Sequence, residues 1–538
     1  MTHHRVVAVL AALLLVAVAF ATPATSQAPQ TPKSGGVLNL TQREDLPQGF
    51  AIHETQTSST VWPSMPCLNN LVVYDPAKKT ESLDTIIGDL AEKWSWQDNY
   101  RNLVFFLRKG VKWHDGQPFT SKDVKFTFDM VREAPDAPAK LRINPRKDWY
   151  ANVEAIETPD PSTAVFRLKK PQPSILMMLA SGYSPIYAAH VPPASYRTGC
   201  VGTGPFKLKE WRKGEFVEYV KNPDYWYKGR PYLDGLRYIV IAERGTRTAA
   251  LQAGKVDLAF PGETSKTTAE ELKRAVPQLV VTPVSENVNN NIIMNIQKPP
   301  FDNLKVRLAV SHAIDRRALV QAVYQGGGII GVSMAPRPVG FWGLGEKEIT
   351  TLPGYGKPAD EKAKAKALLA EVGVSPEKPL KVEMVTRAIA IYVDMASFVI
   401  NELKQIGIEA TLKQIETAQW HAMAVRGEYQ IGANLTGLGA DDPDGNFYEN
   451  YACGSPRNYT HYCSEPVMKM IDAQSQEIDP KKRVAMVAAI QKKLEEDAAR
   501  PILSWRLDYF TYSPHVHGFV PHNNVYNNGR MQDVWIDK

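Results

Sequence analysis

The stretch LAEKWSWQDNYRNLVFFLRKGVKWHDGQPFTSKDVKFTFD, residues 90–129, combines strand and helix patterns that predict its local fold. Leu103–Leu107 is a β-rich run, and the Lys-Gly pair shortly after it is a turn signal. Thr120 followed by Asp123 is typical of a helix start, because such a pair can bond to the first free backbone N–H groups. Apolar residues then recur at helical spacing over residues 124–131. The stretch therefore predicts a strand, a turn and an amphipathic helix, in this order.

Outside this stretch, β-rich and α/β regions occupy different parts of the chain. Residues 206–241 have period-2 stretches that indicate strands with one wet face, whereas residues 381–415 alternate between strand and helix. A segment rich in Asn and Pro, residues 282–300, favours a crossing between lobes. The further predicted helices are 246–251, 306–323, 360–372, 391–406 and 482–499, and the further strands are 37–40, 256–260, 381–386 and 408–415. These patterns predict an α/β protein of two lobes, whose cleft is a common place for a ligand site.

Length and composition exclude several classes of protein. The 538 residues are too many for one ordinary domain, and an apolar content of 44% with 22% charged residues excludes collagen-like, coiled-coil and fully disordered chains. A net charge of +6 over this length lacks the clustered basic face that nucleic acid usually requires. The Gly-Thr-Gly-Pro sequence at 202–205 lacks the Gly-Lys-Ser/Thr ending of a phosphate loop. We expect no nucleic-acid partner and no cofactor.

The N-terminus has the order of regions found in a secretory signal peptide. A short basic start precedes the apolar run Val6–Ala21, and small residues follow it. The run is shorter than the roughly 20 residues that span a membrane, which disfavours an uncleaved anchor. Residues 1–28 are predicted to be the signal, with the cut between positions 21 and 28. No cysteine follows the run closely, so we expect a periplasmic protein without a lipid anchor.

Four cysteines fit an oxidising compartment. Cys453 and Cys463 flank a segment rich in turn residues and could close a small loop, and Cys67 and Cys200 would then pair with each other. Four cysteines allow three connectivities, and the sequence does not choose among them. A metal site is disfavoured, because no Cys-x-x-Cys spacing occurs.

Five stretches of the chain resemble the large extracytoplasmic solute-binding proteins of ABC importers, in the peptide/nickel/opine family known as family 5. The first, residues 90–129, covers the signature of that family. The five occur in the order expected for the family and span essentially the whole mature chain. They are residues 90–129, VGTGPFKLKEW (201–211) with KNPDYW (221–226), ALQAGKVDLAF (250–260), PPFDNLKVRLAVSHAIDR (299–316) and AKALLAEVG (365–373).

The resemblance implies a fold and a function. The fold is the large, class II type of periplasmic-binding-protein fold, with two α/β lobes around a cleft and an extra β-rich subdomain in the first lobe. Its implied boundaries are 34–282 with 512–538 for the first lobe, 76–195 for the subdomain and 283–511 for the second lobe. A small organic solute would close the lobes, and the closed monomer would dock on an inner-membrane permease whose ATPase powers release. A periplasmic ligand sensor or chaperone of the same fold remains an alternative.

The resemblance also bears on the class of ligand. In relatives that bind dipeptides, an Asp three residues after a Trp pairs with the peptide ammonium. In NLTGLGADDPDGNF, residues 434–447, these positions fall on Leu435 and Leu438, with Thr436 and Gly437 between them. A buried ammonium without a partner costs several kcal/mol, so an apolar or aromatic ligand fits better. Asp441 would be the substitute partner if the loop shifts, and a true di- or oligopeptide binder therefore remains an alternative.

Other candidate ligand-binding residues follow from their positions. Arg387 follows a predicted strand and can hold a carboxylate through two parallel hydrogen bonds, the competing interpretation being a surface ion pair. Trp420 can stack on a ligand or pack in the core. The full set of further candidates is Arg43, Glu44, Ser59, Thr60, Trp62, Arg387, Trp420 and Tyr509.

Metal binding and enzymatic activity have little support in the sequence. His515 and His517 would share one face of a strand, with His522 nearby, but no cysteine or paired acids accompany them. The chain has neither the Gly-x-Ser-x-Gly nor the His-Glu-x-x-His motif, and Asp441, Asp442 and Asp444 lie in a predicted turn. We expect a binding protein with no metal site and no enzymatic activity.

Overall fold

The computed structural model describes residues 31–375, 377–527 and 529–537. The predicted signal peptide, residues 1–28, lies outside the described residues. Within these ranges, no helix has the length and apolar character that crossing a bilayer would require.

The described residues form the following strands and helices. The strands are β1 (Val37–Gln42), β2 (Val72–Tyr74), β3 (Ile86–Gly88), β4 (Ala91–Gln97), β5 (Asn102–Leu107), β6 (Val153–Asp160), β7 (Thr163–Leu168), β8 (Phe206–Arg212), β9 (Phe216–Lys221), β10 (Gly235–Val240), β11 (Val280–Met294), β12 (Gly328–Ile329), β13 (Leu380–Arg387), β14 (Ile408–Ile415), β15 (Ile431–Gly437), β16 (Ile502–Tyr512), β17 (Val516–His517) and β18 (Trp535–Ile536). The α-helices are α1 (Ser58–Ser64), α2 (Ser121–Val131), α3 (Ile175–Ala180), α4 (Arg244–Gln252), α5 (Lys266–Ala275), α6 (Leu304–Ala313), α7 (Arg316–Ala322), α8 (Glu346–Ile349), α9 (Pro358–Ala370), α10 (Ala390–Lys404), α11 (Thr417–Arg426), α12 (Pro443–Asn450), α13 (Glu465–Ser475) and α14 (Pro480–Glu496).

The first lobe is built on a four-stranded sheet in the order β1-β10-β9-β8. A second four-stranded sheet, β4-β5-β7-β6, forms its β-rich subdomain, on which α2 packs. The predicted helix start is confirmed, because the Thr120 backbone N–H donates to the Asp123 carboxylate at 2.8 Å. Phe128 of α2 packs on Phe166 of β7 with ring centroids 5.1 Å apart. The sequence signature therefore holds the subdomain together.

The second lobe is built on a six-stranded sheet in the order β12-β16-β11-β15-β13-β14. Strands β13 and β14 are parallel and are connected through α10, which packs on both. This is the strand, helix and strand order predicted for residues 381–415. The predicted α/β fold with two lobes is confirmed.

Strands β11 and β16 run together along the boundary between the lobes. Val280–Ser285 pairs with the end of β16, and the register then shifts before the pairing resumes at Asn289. Leu258 forms isolated bridges to Leu40 of β1 and to Tyr512 of β16, which ties the sheet of the first lobe to this strand pair. The Asn-rich segment predicted as a crossing is thus mainly a long strand with a break in its register.

Two local predictions were wrong. The helix predicted over 306–323 is two helices, because Asp315 begins α7 by accepting a hydrogen bond from the Ala318 N–H at 2.9 Å. The strand predicted over 256–260 is reduced to the bridges of Leu258. Hydrophobic periodicity continues across both breaks, so the pattern alone did not reveal them.

Two disulfides link Cys67 to Cys200 and Cys453 to Cys463. Of the three possible connectivities, these are the pairs that follow from closing the small loop first. The bonded residues are separated by 133 and 10 positions, respectively. The long loop restricts the unfolded chain more than the short one does.

Removing the long-range disulfide should therefore destabilise the protein more. We expect Cys67→Ala with Cys200→Ala to lower the free energy of unfolding by about 5 kcal/mol, against about 3 kcal/mol for Cys453→Ala with Cys463→Ala. Guanidinium unfolding of the full chain measures both losses, and reduced wild-type protein is the control. Equal losses would contradict a stabilisation that depends on loop length.

Candidate functional site

A cavity lies where the two lobes meet. The free space within it is about 30 Å³, and the cavity is partly open to solvent. Both lobes supply its lining, which consists of Arg43, Gln56, Thr57, Ser58, Pro261, Glu286, Val288, Arg387, Tyr392, His421, Asn434, Leu435, Gly437, Arg457, Tyr459, Arg506, Val525 and Tyr526.

An ion pair between Arg387 and Glu44 joins the lobes at one side of the cavity. Arg387, the last residue of β13, approaches the Glu44 carboxylate to 2.7 Å. The hydroxyls of Thr417 and Ser59 donate to the same carboxylate at 2.6 Å and 2.5 Å. Burial alone would raise the pKa of Glu44, but the charges of Arg387 and Arg43 lower it below its ordinary value. Glu44 is therefore ionised and holds the lobes together.

Arg43 continues this arrangement on the first lobe. Its guanidinium pairs with Glu263 at 2.9 Å and lies over the ring of Phe260 at 4.9 Å. Arg247 pairs with the same Glu263 at 2.7 Å. Burial raises the pKa of Glu263, but the two guanidiniums more than offset this and lower it. One carboxylate thus serves two buried arginines.

The register break of β11 places a second group of charges beside the cavity. Arg506 of β16 lies 3.6 Å from Glu286 of β11 and also donates to the carbonyl of Gly262. Asp508 accepts a hydrogen bond from the Gly262 N–H at 2.8 Å. Burial and the charge of Glu286 raise the pKa of Asp508 to about 8, and burial also raises the pKa of Glu286. Asp508 is therefore largely protonated at neutral pH, beside a Glu286 carboxyl whose pKa is also raised.

The loop closed by Cys453 and Cys463 carries Arg457 to the other side of the cavity. Arg457 pairs with Glu449 at 2.8 Å and donates to the backbone carbonyl of Gln56, in the first lobe, at 3.0 Å. Tyr459, in the same loop, donates to the Gln56 side chain and contacts His421 Nδ1 at 2.9 Å. Burial lowers the pKa of His421 well below its ordinary value, so its imidazole is neutral. The loop is a second contact between the lobes.

Asp441 and Glu81 form a third contact between the lobes, away from the cavity lining. The backbone N–H of Asp441 donates to the Glu81 carboxylate at 2.7 Å. Burial and the charge of Asp442 raise the pKa of Asp441 to about 7, whereas burial and Asp441 raise that of Glu81 well above its ordinary value. Asp442 itself is held by Arg483 through two bonds of 2.8 Å and 2.7 Å.

The structure brings about half of the predicted site residues together. Arg43, Arg387, Leu435 and Gly437 line the cavity. Glu44, Ser59 and Thr436 lie directly behind it: Glu44 and Ser59 bond to the lining arginines, and Thr436 accepts a hydrogen bond from Asn434.

The other six predicted residues do not line this cavity. Trp62 packs edge-on against Phe519 in the core of the first lobe, and Trp420 packs against Tyr459 in the second. Leu438 is 2% exposed among apolar residues. The placements of the remaining three follow: Thr60 is buried beside Gln48, Asp441 faces Glu81, and Tyr509 bonds through its backbone to Thr264.

Sequence reasoning missed most of the polar lining. Arg457 and Tyr459 lie between two cysteines, and the segment was interpreted only as a turn. Arg506 and Asp508 are charged residues in an otherwise apolar strand, which was a usable signal for a buried site. Tyr392 and His421 lie on helices whose apolar residues predict core packing. That pattern does not indicate which side chains line a cavity.

The three histidines near the C-terminus have separate partners. His515 lies 2.8 Å from Asp257, and His517 stacks on Trp535 with ring centroids 4.1 Å apart. His522 bonds to the backbone of Asn524. Across the residues that the structure describes, no group of three or more His, Cys, Asp or Glu side chains is placed to hold a metal ion.

Solved structures show the same fold. The Helicobacter pylori periplasmic binding protein DppA in complex with the peptide STSA matches with a TM-score of 0.82 at 23% identity, covering 94% of this chain and 99% of that one. The binding protein AgaA of Agrobacterium tumefaciens R10 in complex with agropinic acid matches with a TM-score of 0.80, also at 23% identity, with the same coverage.

Sequence relatives extend over most of the chain. The dipeptide-binding protein of Escherichia coli K12 is 26% identical over 514 residues, which is 89% of this chain and 91% of the relative. Heme-binding protein A of Haemophilus influenzae is 31% identical over 385 residues, 66% of each chain. The sequence model described as "Bacterial extracellular solute-binding proteins, family 5 Middle" matches residues 85–458. The chain therefore belongs to family 5 of the bacterial extracellular solute-binding proteins, the periplasmic substrate-binding components of ABC transporters.

Proposed function

We propose that this chain captures a small organic solute in the interlobe cavity and delivers it, chemically unchanged, to an ABC permease. The observation that carries the proposal is the convergence of charged side chains from both lobes on one cavity. In this proposal a cleaved signal exports the chain, which acts as a monomer without a lipid anchor. The first lobe comprises 34–282 and 512–538, with the subdomain at 76–195, and the second comprises 283–511.

Closure of the lobes is the working step of the proposed function. Contacts such as Arg387 with Glu44, and Arg457 with the Gln56 carbonyl, exist only when the lobes meet. A solute shifts the equilibrium toward the closed form by its preference for that form. Closure also removes the solute from water, which strengthens every polar contact to it.

The family leaves the ligand open, since relatives are described as binding dipeptides or heme, and similar structures hold a peptide or agropinic acid. In this chain Leu435 lines the cavity, whereas Leu438 and Asp441 do not. Glu286 is the carboxylate in this lining, and Arg506 lies 3.6 Å from it, so neither Leu438 nor Asp441 supplies a partner for a peptide ammonium. We propose a solute without a free α-ammonium group.

A thermal-shift screen tests solute capture. The panel contains dipeptides, opines, sugars, aromatic acids and nickel, each added to the purified mature protein. A compound present at about 100 times its dissociation constant adds roughly 2.7 kcal/mol of stability, so we expect a raised melting temperature with a non-peptide compound. Recovery of that compound unchanged after long incubation is the control for chemistry. A shift produced by dipeptides alone would contradict the proposed ligand class.

Gly437→Ala tests whether binding requires the closed form. A Cβ atom at position 437 would lie 2.6 Å and 2.8 Å from ring carbons of Tyr526, which belongs to the first lobe. Overpacking of this kind costs about 1.4 kcal/mol or more, so we expect affinity to fall about tenfold while the melting temperature of the ligand-free protein changes little.

Gly199→Ala is the matched control, because its added Cβ would have only one neighbour, at 4.0 Å. Isothermal titration with the compound found in the screen measures both variants. Unchanged affinity in Gly437→Ala would mean that the closed arrangement is not the binding form.

The contact between Asp441 and Glu81 should make closure depend on pH. Burial raises the pKa of Asp441 to about 7 in the closed arrangement. We propose that opening the lobes removes this burial, so that the closed form binds a proton that the open form releases. Closure is therefore favoured at low pH and is weakened as pH rises through about 7. Small-angle scattering between about pH 5.5 and about pH 8.5 measures this as an increase in the radius of gyration.

Asp441→Asn should flatten that pH profile, because it removes one of the two facing acids. Asp98→Asn is the control, since Asp98 is half-exposed and remote from this contact. Two results would show that this contact does not govern closure. One is a wild-type radius of gyration that increases as the pH falls, and the other is a pH dependence that Asp441→Asn leaves unchanged.

A further inference from the structure

Resting on the proposed function, we infer that the captured solute is an anion, with at least two acidic groups that compensate an excess of buried guanidinium charge around the cavity. The excess belongs to a set of residues that we call the cleft charge cluster. The cluster consists of Arg43, Arg146, Arg247, Arg387, Arg457, Arg500, Arg506, Glu44, Glu263, Glu286, Glu449 and Asp508.

The side of the cluster around Arg43 and Arg387 is nearly neutral. Four of its arginines pair with three acidic side chains through the ion pairs already described, and Asp508 is a fourth acid, held by backbone N–H groups. Asp508 is largely protonated at neutral pH, because burial and the charge of Glu286 raise its pKa to about 8. This side therefore carries about one more positive charge than negative charge at neutral pH.

The side around Arg457 carries the larger excess. Arg457 and Arg146 share one carboxylate, Glu449, at 2.8 Å and 3.5 Å. Arg500 bonds only to neutral oxygens, including the Asn450 side chain at 3.0 Å and the Arg457 carbonyl at 3.4 Å, and no carboxylate among the described residues lies within 4.0 Å of it. Asp148, whose carboxyl interacts electrostatically with Glu449, is partly exposed, and burial raises its pKa.

These charges are buried in the closed form. Arg146, Arg457 and Arg500 are 2–3% exposed. Burial lowers the pKa of Arg500 below its ordinary value, as expected for a cation without a counter-charge. An unpaired buried ion costs several kcal/mol, so an anion in the cavity removes a cost that the closed protein otherwise bears.

The cavity presents the groups that an anion needs. Arg457 reaches it from one side, and Arg43, Arg387 and Arg506 reach it from the other. Guanidinium groups bind carboxylates and phosphates through paired hydrogen bonds. His421, only 8% exposed, also lines the cavity, and its Nε2 has no hydrogen-bond partner among the described residues. Carboxylate, phosphate and sulfonate groups share the required chemistry.

Matched compounds of equal length test the charge of the solute. Succinate, succinamide and 1,4-diaminobutane form one set. Benzene-1,3-dicarboxylate, benzene-1,3-dicarboxamide and 1,3-bis(aminomethyl)benzene form a second set. Each compound is added at fixed ionic strength to the full mature chain, and the melting temperature is measured. We expect the dianion of at least one set to raise it and the matched amide and amine to leave it unchanged. An amide or amine that binds as well as its acid would overturn the inference.

Two variants locate the effect. Arg457→Met removes a guanidinium that lines the cavity, and loss of a buried charged partner should weaken binding of the dianion about thirtyfold or more. Arg500→Met removes a charge that lies behind the lining, and we expect it to weaken binding by a smaller factor. Arg212→Met is the control, because the Arg212 side chain is half-exposed on the first lobe. If both cluster variants bind the dianion as tightly as the control does, the inference is overturned.

A small-molecule extract of the source cells decides the case in which neither set binds. The protein is incubated with the extract, separated by gel filtration and denatured, and the released solute is identified by mass spectrometry. A released di- or polyanion supports the inference. A released neutral or cationic solute overturns it while leaving solute capture standing, whereas the release of no solute overturns the proposed function itself.

Discussion

The closed structure depends on the burial of charges that find their partners across the cleft. Arg387 and Glu44 come from different lobes, and their side chains are 3% and 18% exposed where they meet at 2.7 Å. Each would be hydrated if the lobes separated, and each would be costly to bury alone. Closure therefore requires that each buried charge contact an opposite charge, which either the other lobe or a solute supplies. This requirement ties the position of the lobes to the chemistry of the cavity.

The paired strands β11 and β16 carry part of this buried charge at the boundary between the lobes. The register of β11 shifts between Ser285 and Asn289, and the segment between them contains Glu286, which lines the cavity. Arg506 and Asp508 lie on the facing strand. A change in the angle between the lobes must therefore alter the distances within this charged group. In the proposed function, the boundary between the lobes and the binding site share these residues, so that binding of a solute is coupled to the angle between the lobes.

The elements that the sequence predicted well are those set by local patterns. The helix that begins at Ser121 and the strand, helix and strand of residues 381–415 have caps and periodicity within a few residues. Arg387 could be proposed for the same reason, because a strand end is a local feature, and the structure places it in the cavity lining. For Trp420 the sequence left two alternatives, stacking on a ligand and packing in the core. Its ring packs against Tyr459, and only tertiary packing decides such a position. Arg457 reaches the cavity only because a disulfide folds its loop back, and spacing does not encode that direction.

If the solute is an anion, the excess of positive charge also makes closing without a solute unfavourable. In an open form, water would hydrate Arg457 at little cost, whereas in the closed form Glu449 is the one carboxylate among the described residues that faces Arg457 at ion-pair distance. The free energy of closure then contains an electrostatic penalty that an anion cancels and a neutral solute leaves in place. The same penalty provides selectivity, because a solute that fits the cavity but lacks acidic groups cannot close the lobes. In this protein, discrimination among solutes is therefore a property of the closed state and not of the first encounter.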